Sequence, residues 1–171
     1  MIVCLTIFSF GANAQNKTVN LHDGWQFRQE GGTKWYAATV PGEVHTDLLN
    51  NKLIPDPYYR DNEKKLQWIE KKNWEYKKSF QLSAETLKKK HSELVFVGLY
   101  TYASVYLNGK LLDTVYRDGG RWKIDIPKSD VDNPVLEILV EAMGRINFGS
   151  DMTDRKGITD RVKLNGMTLM D

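Results

Sequence analysis

The sequence has 171 residues, of which 41% are hydrophobic and 11% aromatic. This composition suits one globular domain with a core of its own and excludes a disordered chain. Its 24 lysines and arginines nearly balance its 22 aspartates and glutamates, and the basic run at residues 88–91 is typical of a solvated turn. Because a nucleic-acid surface needs clustered cations, we expect no nucleic-acid partner.

Residues 1–14, "MIVCLTIFSFGANA", form an apolar run that ends in a small-x-small triplet. This pattern is typical of a secretory signal peptide, so we expect cleavage before Gln15 and a secreted or periplasmic protein. The alternative is a buried N-terminal strand, and the run is too short for a membrane span. Cys4 is the single cysteine. The mature domain, residues 15–171, would therefore contain no disulfide and would rest on its hydrophobic core.

The predicted elements are one short helix and a series of strands. Residues 43–51 follow a helical pattern, with Val44, Leu48 and Leu49 as candidates for one face, after Pro-Gly and before "IPDP". Alternating apolar residues bounded by turn formers predict strands at residues 74–82, 93–100, 103–116, 121–127 and 134–143. Asn108-Gly109 predicts a type I′ hairpin turn. We therefore predict a mainly β fold, an antiparallel β-sandwich of the jelly-roll type with one short helix.

Residues 61–74, "DNEKKLQWIEKKNW", concentrate groups that suit a sugar. Carboxylates and amides bind hydroxyl groups, and tryptophans offer flat apolar rings. The candidate sugar-binding residues here are Asp61, Asn62, Glu63 and Trp68. One interpretation is the edge of a sugar pocket that another domain completes. The other is a surface loop whose tryptophans, Trp68 and Trp74, pack on the sandwich.

A second polar cluster follows the last long predicted strand, where sandwich folds often place binding groups. Its candidate sugar-binding residues are Arg145, Asn147, Asp154 and Arg155, with Asp151 and Lys156 beside them. The alternative is that these arginines and aspartates pair with each other and order the loop. The final residues, "VKLNGMTLMD", resemble another strand with an Asn165-Gly166 turn. We expect the domain either to lack its last strand or to come from a longer chain.

Other chemistry finds little support in the sequence. A retaining glycosidase needs two carboxyl groups about 5 Å apart, one of them with a raised pKa. Lysines flank the acids of residues 61–72 and favour their ionised form, so we expect no independent catalysis. His22, His45 and His91 have no metal-ligand spacing, and His45 suggests a capping or packing role. We expect no cofactor and no metal ligands, although a calcium ion held by backbone carbonyls stays open. Tyrosines at 100, 102 and 106 are expected in the core or on a sheet face before they are expected to bind sugar.

The segments "VPGEVHTDLL", "IPDPYYRDNE" and "WIEKKNWEY" within residues 35–82 resemble the N-terminal sugar-binding domain of glycoside hydrolase family 2, and most of all its β-mannosidases. "LVFVGLYTYASVYLNGKLLDT" continues that pattern. Residues 136–166 resemble instead the jelly-roll domain of family 35 β-galactosidases. The β-mannosidases carry a "WDWGP"-type loop where this chain has "GRINFGSDMTDRKGI", so the resemblance leaves the sugar open. Both families imply a galactose-binding-like β-sandwich.

The resemblance also implies where catalysis takes place. Hydrolysis in these families uses two glutamates on a (β/α)8 barrel, which needs roughly 250 residues and cannot fit in this chain. We therefore expect a non-catalytic accessory domain of a glycoside hydrolase that acts on β-mannosides or β-galactosides. Its partners would be such a carbohydrate and a catalytic barrel. A free-standing carbohydrate-binding module and a purely structural interaction domain are the alternatives.

Overall fold

The computed structural model describes residues 17–83, 91–100, 102–116, 122–126, 133–141 and 156–167. Within these ranges the helices are α1 (Val44–Asn50), α2 (Asn62–Leu66) and a short 3-10 helix (Ile69–Lys71). The strands are β1 (Lys17–Asn20), β2 (Trp25–Gln29), β3 (Tyr36–Ala38), β4 (Trp74–Ser79), β5 (His91–Phe96), β6 (Leu99–Tyr100), β7 (Tyr102–Leu107), β8 (Lys110–Tyr116), β9 (Trp122–Asp125), β10 (Val135–Glu141), β11 (Gly157–Ile158) and β12 (Val162–Met167).

The strands form two main sheets that share one core. The larger sheet has the order β3-β2-β4-β10-β7-β8, and the smaller sheet has the order β1-β12-β5-β9. A third sheet contains only β11 and β6. Neighbouring strands pair antiparallel, and side chains of both main sheets belong to one buried cluster. The predicted mainly β, antiparallel sandwich is thus confirmed.

The core follows from the period-two alternation of the strands. Phe27 lies opposite Tyr76, Tyr76 opposite Ile138, and Ile138 opposite Val105, so one row of side chains crosses four strands of the larger sheet. All four side chains are buried, and the Phe27 and Tyr76 rings stack with their centroids 6.0 Å apart. The residues between them along each strand face away from the core, because successive side chains of a strand point to opposite faces.

The hairpin between β7 and β8 is confirmed. Asn108 and Gly109 have φ angles of 50° and 75°, the positive values that a two-residue type I′ turn requires. The Asn108 side chain adds a tertiary contact, since its Oδ1 accepts a hydrogen bond of 2.8 Å from the backbone N–H of Val135. The turn is therefore fastened to the start of β10.

The predicted strand at residues 93–100 is divided into β5 and β6. The chain bends at Gly98, where a Cβ atom would lie 2.7 Å from Thr159 Oγ1 and 2.9 Å from Asp160 Cβ. The carbonyl of Gly98 also accepts a 3.0 Å hydrogen bond from the N–H of Thr159. Glycine thus permits a close approach of two backbones, and β6 leaves the smaller sheet to pair with β11.

The prediction of a single helix is wrong. Helix α1 has Val44 and Leu48 buried as predicted, whereas Leu49 is exposed and Asp47 is buried. The second helix, α2, and the 3-10 helix after it lie in the segment that we interpreted as a binding loop. Each is too short to show an apolar period. None of the helices in the described ranges is long and apolar enough to cross a membrane.

The expected turn at Asn165-Gly166 is also wrong. Both residues lie inside β12, which is paired with β1 on one side and with β5 on the other. The Asn165 side chain accepts a 2.9 Å hydrogen bond from Thr18 and donates one of 3.1 Å to Glu93. Two flanking strands satisfy the backbone of this segment, and such pairing overrides the local turn preference of Asn-Gly.

Candidate functional site

A cleft of about 340 Å³ lies beside α1 and α2, and we call it the α1–α2 cleft. This volume is near the lower end of the range for small-molecule sites, roughly 300–1,000 Å³. The lining combines polar and apolar side chains: Glu43, His45, Thr46, Leu49, Pro57, Tyr58, Glu63 and Leu66. The first four come from α1 and the residue before it, and the last four come from α2 and the segment before it.

The first wall is fixed by a buried carboxylate beneath α1. Asp47 Oδ1 accepts a 2.8 Å hydrogen bond from the N–H of Thr39, and its Oδ2 lies 3.5 Å from the Tyr76 hydroxyl, which donates to it. Burial is the main cause that raises the pKa of Asp47 to about 6. Burial also raises the pKa of Tyr76 well above its ordinary value, with the Asp47 charge as a further cause. This pair thus joins α1 to β4.

Residues 156–158 hold the start of α1 and also the 3-10 helix. The N–H groups of Gly42 and Val44 each donate a 2.9 Å hydrogen bond, to the carbonyls of Ile158 and Lys156 respectively. The Lys156 side chain is buried, and its Nζ donates a 2.7 Å hydrogen bond to the carbonyl of Glu70. One short segment therefore contacts both the start of α1 and the 3-10 helix that follows α2.

The second wall is ordered by its own turn. The N–H of Tyr58 donates to Asp56 Oδ1 at 2.9 Å, and the Asn62 side chain donates to the carbonyl of Asp56 at 3.0 Å. These bonds close the chain into a compact turn just before α2. Tyr58 is 97% exposed, so its ring stands on the rim of the cleft with almost no protein covering it.

The structure places the four candidate residues between positions 61 and 68 in different environments. Glu63 lines the cleft, whereas the Asn62 side chain is engaged within the turn. Asp61 is exposed, and its Oδ1 lies 3.6 Å from Lys65 Nζ. Trp68 is 39% exposed and packs against Trp74, with ring centroids 6.1 Å apart. Glu63 is thus the candidate that the structure places in a concave site.

The other four candidates, Arg145, Asn147, Asp154 and Arg155, lie outside the described residues, and their binding role stays a prediction. Asp151 lies outside them as well. Lys156, which we placed beside this cluster, is 1% exposed and is held by the chain rather than presented to a ligand.

Most residues that line the α1–α2 cleft are not predicted from the sequence. The sequence pattern does not single out Glu43 or Thr46, and it suggests a capping or packing role for His45. All three lie on α1 or immediately before it and away from its buried residues, Val44 and Leu48. A helical projection of the predicted helix would have placed them together on its outer side. Nothing in the sequence indicated that the ring of Tyr58 would stand in solvent.

The cleft offers acceptors, donors and apolar surface together. Two carboxylates, an imidazole and two hydroxyls can bind ligand hydroxyl groups, while Leu49, Pro57 and Leu66 supply apolar contact. Asp47, whose pKa is raised, is 1% exposed and does not line the cleft. Among the described residues, no group of three or more His, Cys, Asp or Glu side chains is arranged to hold a metal ion.

Antiparallel β-sandwiches of the jelly-roll type include sugar-binding lectin domains. The chain belongs to the family described as "Glycosyl hydrolase 2 galactose-binding domain-like", whose model matches residues 25–166. The resemblance to family 2 is thereby confirmed. The match includes residues 136–166, whose likeness to family 35 stays a prediction.

Curated relatives and solved structures agree with this assignment. A β-mannosidase of Bos taurus is 38% identical over 125 residues, which are 71% of this chain and 14% of that protein. A β-D-mannosidase structure from Dictyoglomus thermophilum superimposes with a TM-score of 0.77 and 29% identity, covering 89% of this chain and 23% of that one. An FMN-binding β-glucuronidase from Facaelibacterium prausnitzii L2-6 has a TM-score of 0.67 at 17% identity over 91% of this chain and 23% of its own, and it shares the fold. This chain therefore spans a small part of the proteins that it resembles.

Proposed function

We propose that the chain is a non-catalytic accessory domain of a glycoside hydrolase and that its α1–α2 cleft forms one wall of a sugar-binding site. The observation that carries the proposal is the cleft itself, in which Glu43, His45 and Glu63 meet the apolar side chains of Leu49 and Leu66. A sugar presents hydroxyl groups at its edge and C–H groups on its faces, so it requires both kinds of contact. The exposed ring of Tyr58 adds a flat apolar surface at the rim.

A β-mannoside is the proposed sugar, with a β-galactoside as the second candidate. Support for mannose comes from the curated relative in Bos taurus, which is a β-mannosidase and is 38% identical to this chain. The second candidate follows from the family 35 likeness of residues 136–166. The catalytic carboxylates would come from a (β/α)8 barrel that completes the site, as the family resemblance implies. Without the barrel, the α1–α2 cleft offers few buried polar contacts, so the affinity of this chain for a monosaccharide should be weak.

The test combines a turnover assay with an NMR titration of the chain. Nitrophenyl β-mannoside and β-galactoside should not be hydrolysed, while mannose or galactose should shift backbone amides of residues 43–66. Tyr58→Ala should weaken the shifts several-fold, because it removes the rim. Tyr59→Ala is the matched control, since Tyr59 is 58% exposed and does not line the cleft, and it should leave them unchanged.

A second pair of variants distinguishes the binding roles of Glu63 and Asp61. Glu63→Gln should weaken binding because Glu63 lines the cleft, whereas Asp61→Asn should not, because Asp61 faces solvent beside Lys65. Turnover that survives in the wild type and disappears in Glu63→Gln would make the chain an enzyme in its own right. A complete absence of amide shifts would leave a purely structural interaction domain as the function. Tight binding of a free sugar would favour a free-standing carbohydrate-binding module.

A further inference from the structure

The outer face of the six-stranded sheet carries a second groove, which we call the sheet-face groove. It has a volume of about 310 Å³. The residues that matter for its chemistry are Arg28, Trp35, Glu75, Tyr106, Glu137 and Leu139. None of these six lines the α1–α2 cleft. The groove crosses β2, β4, β10 and β7, which are neighbours in the sheet, so it extends over about 14 Å.

Trp35 is held above this sheet by two cations. The Arg28 guanidinium lies 4.2 Å and the Lys77 ammonium 4.1 Å from the centroid of the indole ring. Both residues project from the outer face of the sheet, because their neighbours Phe27 and Tyr76 point into the core. The two cations therefore help to position the ring, and the half-buried indole retains surface toward solvent.

The lining of the sheet-face groove carries one cation, Arg28, and three carboxylates, Glu30, Glu75 and Glu137, while the ammonium of Lys77 lies against Trp35. Arg28 donates through Nε to Glu75 Oε2 and through Nη1 to the carbonyl of Gly32 at 2.9 Å. Glu137 lies opposite Lys77 on β4 and opposite Tyr106 on β7. Arg28 and Lys77 thus each lie beside a carboxylate of the neighbouring strand. Such an arrangement supplies donors and acceptors with a small excess of negative charge, which disfavours a polyanion and suits an uncharged ligand that is rich in hydroxyl groups.

We propose that the sheet-face groove binds an uncharged oligosaccharide, laid across β2, β4, β10 and β7. The indole of Trp35 stacks on the apolar face of one sugar unit, and Tyr106 contacts a second unit farther along. Glu75, Glu137 and Arg28 bind hydroxyl groups between these two rings. The span of the groove across four strands fits a short chain of sugars rather than a single sugar. This site is distinct from the α1–α2 cleft and does not depend on its function.

The test is native gel electrophoresis of the full chain through gels that contain a soluble β-mannan, a soluble β-glucan or, as the charged control, polygalacturonate. At least one neutral glycan should retard the wild type, and polygalacturonate should not. Trp35→Ala should lower the affinity roughly tenfold or more, as expected for loss of an aromatic anchor. Trp68→Ala is the matched control, since it removes an exposed tryptophan that does not line the groove, and it should migrate like the wild type.

A second variant guards against a folding defect in Trp35→Ala. Glu137→Gln preserves the size of a surface side chain and should also reduce retardation, while its urea midpoint matches the wild type. The proposal is overturned if no neutral glycan retards the chain, or if Trp35→Ala and Glu137→Gln are retarded like the wild type. Retardation that is lost in Tyr58→Ala but kept in Trp35→Ala would place the sugar in the α1–α2 cleft, supporting the proposed function and refuting this second site.

Discussion

At the scale of single residues, Asp47 shows how a carboxylate can serve structure at a cost in free energy. Its side chain is 1% exposed and joins α1 to the loop at Thr39 and to Tyr76 on β4. The hydrogen bonds from Thr39 and Tyr76 lower the pKa, but desolvation by burial outweighs them and raises it from 3.8 to about 6. The native state therefore retains a proton that the unfolded chain has already lost.

We predict that this group makes the protein less stable as the pH rises. Between pH 3.8 and about 6 the native state binds the proton more tightly than the unfolded state, so stability is highest below this interval and falls through it. The loss over the whole interval should be about 3 kcal/mol. Asp47→Asn should remove this part of the pH dependence, as measured by urea unfolding at about pH 4 and pH 7. The exposed variant Asp61→Asn should keep the wild-type difference, and an unchanged slope in Asp47→Asn would contradict the prediction.

The candidate site could be predicted from sequence only in part, and the reason is visible at the same scale. Glu63 was identified because it lies in an unusual cluster of acids and tryptophans. Its partners in the α1–α2 cleft, Glu43 and His45, lie on a segment with an ordinary helical pattern, and only the fold brings them opposite Glu63. Asn62 has the right chemistry for a sugar, but its amide is engaged by the backbone of Asp56. Spacing along the chain does not reveal such local competition for hydrogen bonds.

At the scale of elements, strands with strong alternation were predicted well. Strands β4, β7, β8, β9 and β10 and the Asn108-Gly109 turn agree with their patterns, because long runs of β-branched and aromatic residues leave few alternatives. Strands β1, β2 and β3 were not predicted, since they have only three to five residues each. β1 and β2 pair with the distant strands β12 and β4, whereas β3 pairs with the adjacent β2. The break at Gly98 depends on the approach of Thr159, which no local pattern contains.

Strand β5 supplies the clearest packing prediction. Alternation suggested one core face, but Leu94, Val95 and Phe96 are all fully buried, so the strand is covered on both sides. Phe96→Ala should therefore cost about 3–5 kcal/mol, through lost burial and the cavity left behind. Leu111→Ala, at a position that is 51% exposed, should change the stability by less than about 0.5 kcal/mol. Urea unfolding of both variants provides the measurement, and equal midpoints would show that the Phe96 site collapses or is not core.

At the scale of the whole molecule, the sandwich is closed by contacts between residues that are distant in sequence. β1 pairs with β12, and the Thr18–Asn165 hydrogen bond joins residues 147 positions apart. Composition and alternation predicted a sandwich but not this order of strands, because pairing partners are selected by the packing of the complete core. The separation of these partners along the sequence also explains why the predicted turn at Asn165-Gly166 is wrong. There β1 and β5 together fix an extended strand.

Export is the prediction that concerns the molecule as a whole. We propose that residues 1–14 are removed before Gln15 and that the protein is secreted or periplasmic, on the strength of the apolar run and its small-x-small end. This cleavage point precedes β1, so the paired strand Lys17–Asn20 would stay intact. Intact-mass spectrometry of the extracellular or periplasmic fraction should give a chain that begins at Gln15. An unprocessed chain that begins at Met1 and stays in the cytoplasm would contradict the proposal.

The three residues 156–158 have a mechanical consequence for the α1–α2 cleft. They hold the start of α1 through two backbone hydrogen bonds and the 3-10 helix through the buried ammonium of Lys156. A ligand of the cleft would therefore meet a first wall whose start is already fixed, and little conformational entropy would be lost in ordering it. The hydrogen bonds of residues 156–158 would also transmit a distortion of this segment. A displacement of residues 156–158 would shift the start of α1 and the 3-10 helix together, although these three residues do not line the cleft.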